Sequence, residues 1–192
     1  MTLDRSFFMR STLQAARELI GQELVCVTPV GETRGVIVET EAYLGTADDA
    51  AHSYRGRTER VRALFGSKGC AYIYLIYGMH LCLNISCGPD ENPECILVRA
   101  LEPVSGIELM QRRRNTERLK NLCSGPGKLC AAMGITRSHY GADMCDCSSG
   151  LYLETRTSLE AVASRRIGID YAEKCRDELW RFTAKGNSFV SR

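Results

Sequence analysis

The chain has 192 residues, 44% of them hydrophobic, and a formal net charge of +2 at neutral pH. That length suits one domain with a real core, spanning 1–192, and that apolar content excludes a disordered chain. A charge so near zero gives no support for a nucleic-acid partner from the total, so such a partner has to be read from local clusters.

The chain opens Met1-Thr2-Leu3-Asp4-Arg5, with no secretory signal. Its ten cysteines therefore read as reduced, buried thiols rather than a disulfide framework, as in Leu81-Cys82-Leu83 and in Cys95 before Ile96-Leu97-Val98. No C-x-x-C pair occurs, and Cys145-Asp146-Cys147 alone is a weak metal signal, so neither a metal nor any other cofactor is expected. The location expected is intracellular, cytoplasmic or with the DNA of a nucleoid or nucleus. The most apolar stretch, Cys70 to Ile85, is broken by Gly78, His80 and Asn84 and is too short for a bilayer, so no membrane partner is expected.

Ser11-Thr12-Leu13-Gln14 has the form of a capping box opening a helix from Thr12 to Ile20, stopped by Gly21. Leu24 to Thr28 and Arg34 to Glu41 read as two strands of a hairpin around Pro29-Val30-Gly31-Glu32. Along the return strand Val36, Val38 and Thr40 share one face, and Ile37, Glu39, Glu41 and Tyr43 the other. Asp48 or Asp49 suits the cap of a short helical turn that carries Ala50, Ala51 and His52. From Arg55 to Lys68 five basic residues stand against one acid. Thr58 to Phe65 reads as helical, ending at Gly66.

Tyr72-Ile73-Tyr74-Leu75-Ile76 and Leu81-Cys82-Leu83-Asn84-Ile85 form the strongest strand signal, joined by a two-residue turn at Tyr77-Gly78. Turn tips favour Asn, Asp and Gly. A tyrosine at a solvent-facing tip suggests that the tip inserts into something. Gly88 to Glu94 reads as a loop, Cys95 to Ala100 as a strand containing Arg99, and Ile107 to Lys120 as a basic helix. Ser124-Gly125-Pro126-Gly127-Lys128 opens a further helix ending at Gly134, with Pro126 at its first position. This Gly-rich helix start with a lysine suits a phosphate, although it lacks the spacing of a nucleotide-binding P-loop. Leu151 to Glu154, Arg166 to Asp170 and Leu179 to Thr183 read as short strands. The sum is one α+β domain: a central antiparallel or mixed curved sheet, flanking helices and a protruding hairpin.

A carboxylate, an aromatic ring and an imidazole thus gather near one strand end, with Glu39 and Glu41 equivalent on the strand's face. The basic run, the tyrosine-rich hairpin, the aromatic tip and the phosphate seat are the parts a base-flipping protein needs. A DNA glycosylase, a non-catalytic binder of damaged DNA and a hydrolase of free nucleosides all fit these features.

The runs Glu39-Thr40-Glu41-Ala42-Tyr43-Leu44-Gly45, Ala51-His52-Ser53, Tyr72 to His80, Asn84-Ile85, Arg99-Ala100-Leu101-Glu102-Pro103 and Ser124 to Leu129 resemble the alkyladenine (3-methyladenine) DNA glycosylase family of the mammalian type. They stand in the family's order and near its spacing, and the match extends from about Leu13 to the C-terminus. The resemblance implies base excision repair of alkylated or deaminated purines in double-stranded DNA, by a monomer with a DNA-inserting hairpin. It implies Glu41 as the base that activates water, with Arg99 ordering that water and the carboxylate. Tyr43, His52 and Tyr74 become the walls around the flipped base, and Asn84 the residue that crowds the amino group of normal guanine. Tyr77 becomes the minor-groove wedge with Met79 beside it, and Arg57, Thr58 and Lys128 contact the DNA backbone. Val61 stands where the family pattern has Asn, and the loop Gly88 to Glu94 is a place where substrate range would differ.

Overall fold

The computed structural model describes residues 1–89 and 91–191. Among the described residues eight strands form one sheet in which every pairing is antiparallel. β1 (Glu23–Thr28), β2 (Gly31–Tyr43), β3 (Ala71–Ile76), β4 (His80–Cys87), β5 (Glu94–Ser105) and β6 (Leu151–Glu154) run in the order β3-β4-β5-β2-β1-β6. β7 (Ala161–Ser164) and β8 (Arg181–Ala184) complete the sheet, β8 pairing with β2.

β2 is the axis. β5 lies along one edge of it, while the other edge is shared: β1 takes residues 31–36 and β8 takes residues 39–41. The fork coincides with two irregularities. Ile37 pairs with Leu101 and Glu39 with Ala100, so the register skips Val38; Thr40 then pairs with Val98, so it skips Arg99. Bulges of this kind bend a strand and re-aim its side chains. Here they bring Arg99 onto the face that carries Glu39 and Glu41.

The helices α1 (Thr12–Glu18) and α4 (Pro126–Met133) pack on β2 and β5 and on β4 and β5. Ala15, Ala16 and Leu19 meet Val38, Val98 and Ala100 in a continuous buried cluster. The Thr40 hydroxyl donates to the Ala16 carbonyl at 2.8 Å, which satisfies a buried polar group and pins helix to strand.

Several local expectations are corrected. The Ser11 hydroxyl makes no cap bond, and Gln14 donates instead to Glu18 at 2.8 Å, so the capping box is not formed. The basic segment is broken: α2 spans Ile107–Arg114, Asn115 turns left-handed (φ 49°), and a short α3 follows at Leu119–Leu122. No strand forms at Arg166 to Asp170, because the Arg166 side chain is drawn inside; β7 lies earlier, at Ala161–Ser164. The turn at 45–52 is closed by the Asp48 carboxylate, which accepts from Leu44 N–H at 3.2 Å and Ala50 N–H at 3.0 Å, without a helix carrying His52. The β3–β4 loop has three residues, Tyr77 to Met79, because pairing resumes at Ile76–His80. Tyr77 and Gly78 both have positive φ (53° and 71°), which glycine tolerates freely and tyrosine at a cost of about 1–2 kcal/mol. All ten cysteines are free thiols.

Candidate active site

A cavity of about 540 Å³ opens beside the β2–β5 bulges, within the size range of small-molecule sites. Tyr43, His52, Tyr74, Asn84 and Arg99 all line it, and Tyr77 reaches its mouth. Glu41 has no exposed surface and stands directly behind the lining. Its three partners do face the cavity: Tyr43 OH donates to Glu41 Oε2 at 2.9 Å, Arg99 Nη1 to the same oxygen at 3.3 Å, and Ile167 N–H to Oε1 at 2.8 Å.

Glu39 and Glu41 share a strand face but not a role. Glu39 accepts from Arg99 Nε (2.9 Å), Arg181 Nε (2.7 Å), and the Ser191 backbone N–H (2.6 Å) and hydroxyl (2.9 Å). Its oxygens are saturated by groups that are themselves buried or half-buried, so Glu39 is a structural anion. Its service is to hold Arg99 by Nε, which leaves Nη1 for Glu41. Burial raises the Glu41 pKa above the ordinary carboxylate value; the positive charge of Arg99, the Ile167 N–H and the Tyr43 hydroxyl oppose the rise, and Glu39 adds to it. A carboxylate so placed is a stronger base than an exposed one.

The aromatic side is built from β3 and the turn before the basic run. His52 and Tyr74 meet edge to face with ring centroids 4.5 Å apart, and Tyr72 stacks on Tyr74 at 5.6 Å. His52 Nδ1 lies 2.9 Å from the Tyr72 hydroxyl. Desolvation of this inner edge, then the charge of Arg60, lowers the His52 pKa and keeps the imidazole neutral, although its outer edge is exposed. His52 and Tyr74 thus form one wall. Among the described residues no ring contact joins them to Tyr43, whose own ring is backed by the Arg166 guanidinium at 4.7 Å. Asn84 is buried, its amide donating to Tyr72 O at 3.3 Å. α4 closes the remaining side. A Cβ on Gly127 would stand 2.9 Å from His80 Cβ, so a larger residue there would push the helix start off the hairpin.

Of the other expected residues, Tyr77 touches the cavity's mouth, whereas Met79, Arg57, Thr58 and Lys128 lie outside the lining. Tyr77 is 82% exposed and Met79 73% exposed at the hairpin tip. Arg57, Thr58 and Lys128 are exposed, Lys128 next to the cavity-lining Gly127. Lys68 leaves the basic surface: it is buried and donates to Asn92 O at 2.6 Å. Val61 is buried beneath Tyr72 and Tyr74. In the loop Gly88 to Glu94, Asp90 lies outside the described residues; Pro93 O accepts from Ser53 Oγ at 2.7 Å, so this loop props the His52 turn from behind.

Sequence reasoning missed the C-terminal contribution. Arg166 is buried, donates twice to Asp48 (2.5 and 2.9 Å), to Ala42 O (3.0 Å) and to Cys175 O (3.2 Å), and lies between Tyr43 and Trp180. It binds the end of β2, the His52 turn and the segment whose Ile167 N–H reaches Glu41. No local pattern marks it. Tyr72 did carry a signal, two residues before Tyr74 on one strand face. Among the described residues Asp48, Asp49 and Cys175 bring three ligand atoms within 4.8 Å of one another. Arg166 already occupies Asp48, however, and the N–H groups of residues 173–175 hold Asp49, that of Lys174 foremost, with its pKa down at about 2. The cluster is therefore poorly suited to a metal.

The family profile described as Methylpurine-DNA glycosylase (MPG) matches residues 6–188. Relatives named, provisionally, 3-methyladenine DNA glycosylases include one from Alkaliphilus oremlandii, 43% identical with the whole of both chains aligned. Another, from Clostridium acetobutylicum, is 45% identical over 100% of this chain and 98% of its own. A third, from Methanocella arvoryzae, is 46% identical over 99% of this chain and 96% of its own. An α+β chain with a carboxylate behind an aromatic cavity, matched in this way along its length, is a DNA repair enzyme that hydrolyses N-glycosyl bonds. It belongs to the methylpurine-DNA glycosylase family, and its substrate is damaged DNA.

Proposed function

We propose that the chain removes alkylated and deaminated purines, among them 3-methyladenine, 7-methylguanine, hypoxanthine and ethenoadenine, from duplex DNA by one hydrolytic step with Glu41 as the base. One observation carries this reading: Glu41 is buried, yet all three groups that hold it face the cavity. The damaged nucleotide is flipped into the cavity, with Tyr43 on one side of the purine and His52 with Tyr74 on the other. Asn84 crowds the exocyclic amino group of normal guanine. Tyr77, with Met79 beside it, fills the gap left in the duplex, and Arg57, Thr58 and Lys128 hold backbone phosphates.

A water held by Glu41 and Arg99 gives its proton to Glu41 as its oxygen bonds to C1′. The bond from C1′ to the purine breaks, and its electron pair leaves with the base. The sugar passes through a state of oxocarbenium character, which the Glu41 carboxylate favours electrostatically until it takes the proton. Methylated purines leave as neutral bases because they start as cations, whereas hypoxanthine and ethenoadenine take up a proton from solvent water as they leave. No lysine lines the cavity among the described residues, consistent with a step that ends at the abasic site. On this reading residues 1–192 act as one domain and as a monomer, without metal or cofactor, in the compartment that holds the DNA. Among the described residues no helix is long and apolar enough to cross a membrane.

The test is base release from duplexes that each carry one lesion, with the freed base and the abasic site both measured. Glu41→Gln abolishes release and keeps lesion binding. Full activity in that variant overturns the assignment, and retained binding without release in the unaltered chain makes it a binder of damaged DNA.

A further inference from the structure

β3 closes one side of the sheet, so it has a free edge. At its start that edge is covered: Ala71 N–H donates to Ala142 O, and Gly141 N–H donates to Ala71 O, both at 2.8 Å. Amide directions alternate along an antiparallel strand. Ile73 and Leu75 therefore turn their N–H and C=O groups outward as Ala71 does, while Tyr72, Tyr74 and Ile76 face β4. Among the described residues nothing pairs with this outward row at Ile73 and Leu75.

Beside the row runs a groove of about 580 Å³, lined also by Arg60, Arg62, Arg137 and Tyr140. Its flanks are the 3-10 turns at Glu59–Phe65 and Arg137–His139, both packed on β3. Tyr140 braces it: the hydroxyl accepts from Ala63 N–H at 3.0 Å and donates to Arg60 O at 3.2 Å. The Arg62 guanidinium lies 5.6 Å over the Tyr140 ring and that of Arg60 lies 5.3 Å over Tyr74. Glu59, the one acid in the lining, is paired with Arg62 at 2.7 Å, so the groove as a whole is positive.

We propose that this groove is a docking surface for an extended acidic peptide of a protein partner, which adds to β3 as one more strand. The arginines select negative charge, and the outward row selects the ligand. A phosphate chain would use the N–H groups and meet the carbonyl oxygens unfavourably, whereas a peptide strand answers both. The side chains of alternate residues then reach Arg60 and Arg62 on one flank and Arg137 on the other. An open edge flanked by charge also serves to deter indiscriminate pairing, and it admits a strand that brings the opposite charge. This surface shares Arg60 and Tyr74 with the candidate active site, but strand addition at Ile73 and Leu75 does not rest on the base-excision reading and survives its failure.

The test titrates the full chain into a panel of short fluorescent peptides with Asp or Glu at pairs of successive positions, so that acids stand on both faces of the strand, and Val, Ile or Thr between the pairs, beside a panel with Lys in place of the acids. Acidic members bind and lysine members do not. N-methylation of the alternate amides that face β3 weakens binding about tenfold or more, and methylation of the other set leaves it unchanged. Arg62→Glu with Arg137→Glu has an effect of similar size, and hydrogen exchange at the Ile73 and Leu75 amides slows in the complex. The proposal is overturned if no acidic peptide binds, if both methylated sets bind alike, or if the two amides exchange unchanged. Weakened duplex binding by the double variant, without peptide binding, assigns the groove to DNA and equally overturns it.

Discussion

Replacing Arg166 by Met tests how the cavity is assembled. Arg166 and Asp48 have no exposed side-chain surface and are joined at 2.5 Å. Methionine fills similar space but leaves the Asp48 carboxylate buried with only the N–H groups of Leu44 and Ala50. Removing one partner of a buried pair costs about 3–5 kcal/mol. The carbonyls of Ala42 and Cys175 lose donors as well, which places the loss toward the upper end. Against a total of about 5–15 kcal/mol this is severe, and for a chain of this length it lowers Tm by about 6–20 °C. Urea and thermal unfolding followed by circular dichroism measure it. Asp48→Asn added to Arg166→Met recovers part of the loss, because the stranded charge is gone. At a temperature where the single variant is folded, base release still falls, since Tyr43 loses its cationic backing and Ile167 its anchor. A loss below about 1 kcal/mol, the level of an exposed ion pair, or no recovery in the double variant, refutes this account.

Glu41→Gln raises stability at neutral pH in denaturant titrations. Burial holds the folded-state pKa of Glu41 above the unfolded one, so the folded chain binds the extra proton and stability falls as pH rises between the two values; glutamine has no such loss. The acid limb of the rate profile, measured under single turnover, lies above the ordinary glutamate value for the same reason, and a limb at or below that value contradicts it. Tyr77→Asn relieves about 1 kcal/mol of left-handed strain and removes little buried surface, so the fold is kept or slightly strengthened while release from duplex DNA drops; unchanged activity ends the wedge assignment. Asn84→Ala widens the cavity beside Tyr72 and raises release of undamaged guanine, counted as abasic sites in lesion-free duplex. Rising salt weakens duplex binding steeply if phosphates carry it, and a flat response contradicts the contacts assigned to Arg57 and Lys128.

Local sequence determined the parts. Alternation made strands of the runs around Glu41 and Tyr74, Pro126 and Gly134 bounded α4, and the resemblance chose Glu41 over Glu39. Tertiary structure decided the relations among them. Glu39 and Glu41 have the same period and burial; Arg99, Arg181 and Ser191 converge on Glu39, whereas the partners of Glu41 face the cavity, and this difference supports Glu41 as the proposed base. Arg99 reaches both because register slips at Val38 and Arg99, and a slip depends on the partner strand as much as on the strand itself. Arg166 read as the start of a strand because Ile167 and Ile169 alternate. Its real place depends on a carboxylate 118 positions earlier, a contact that no local pattern can carry.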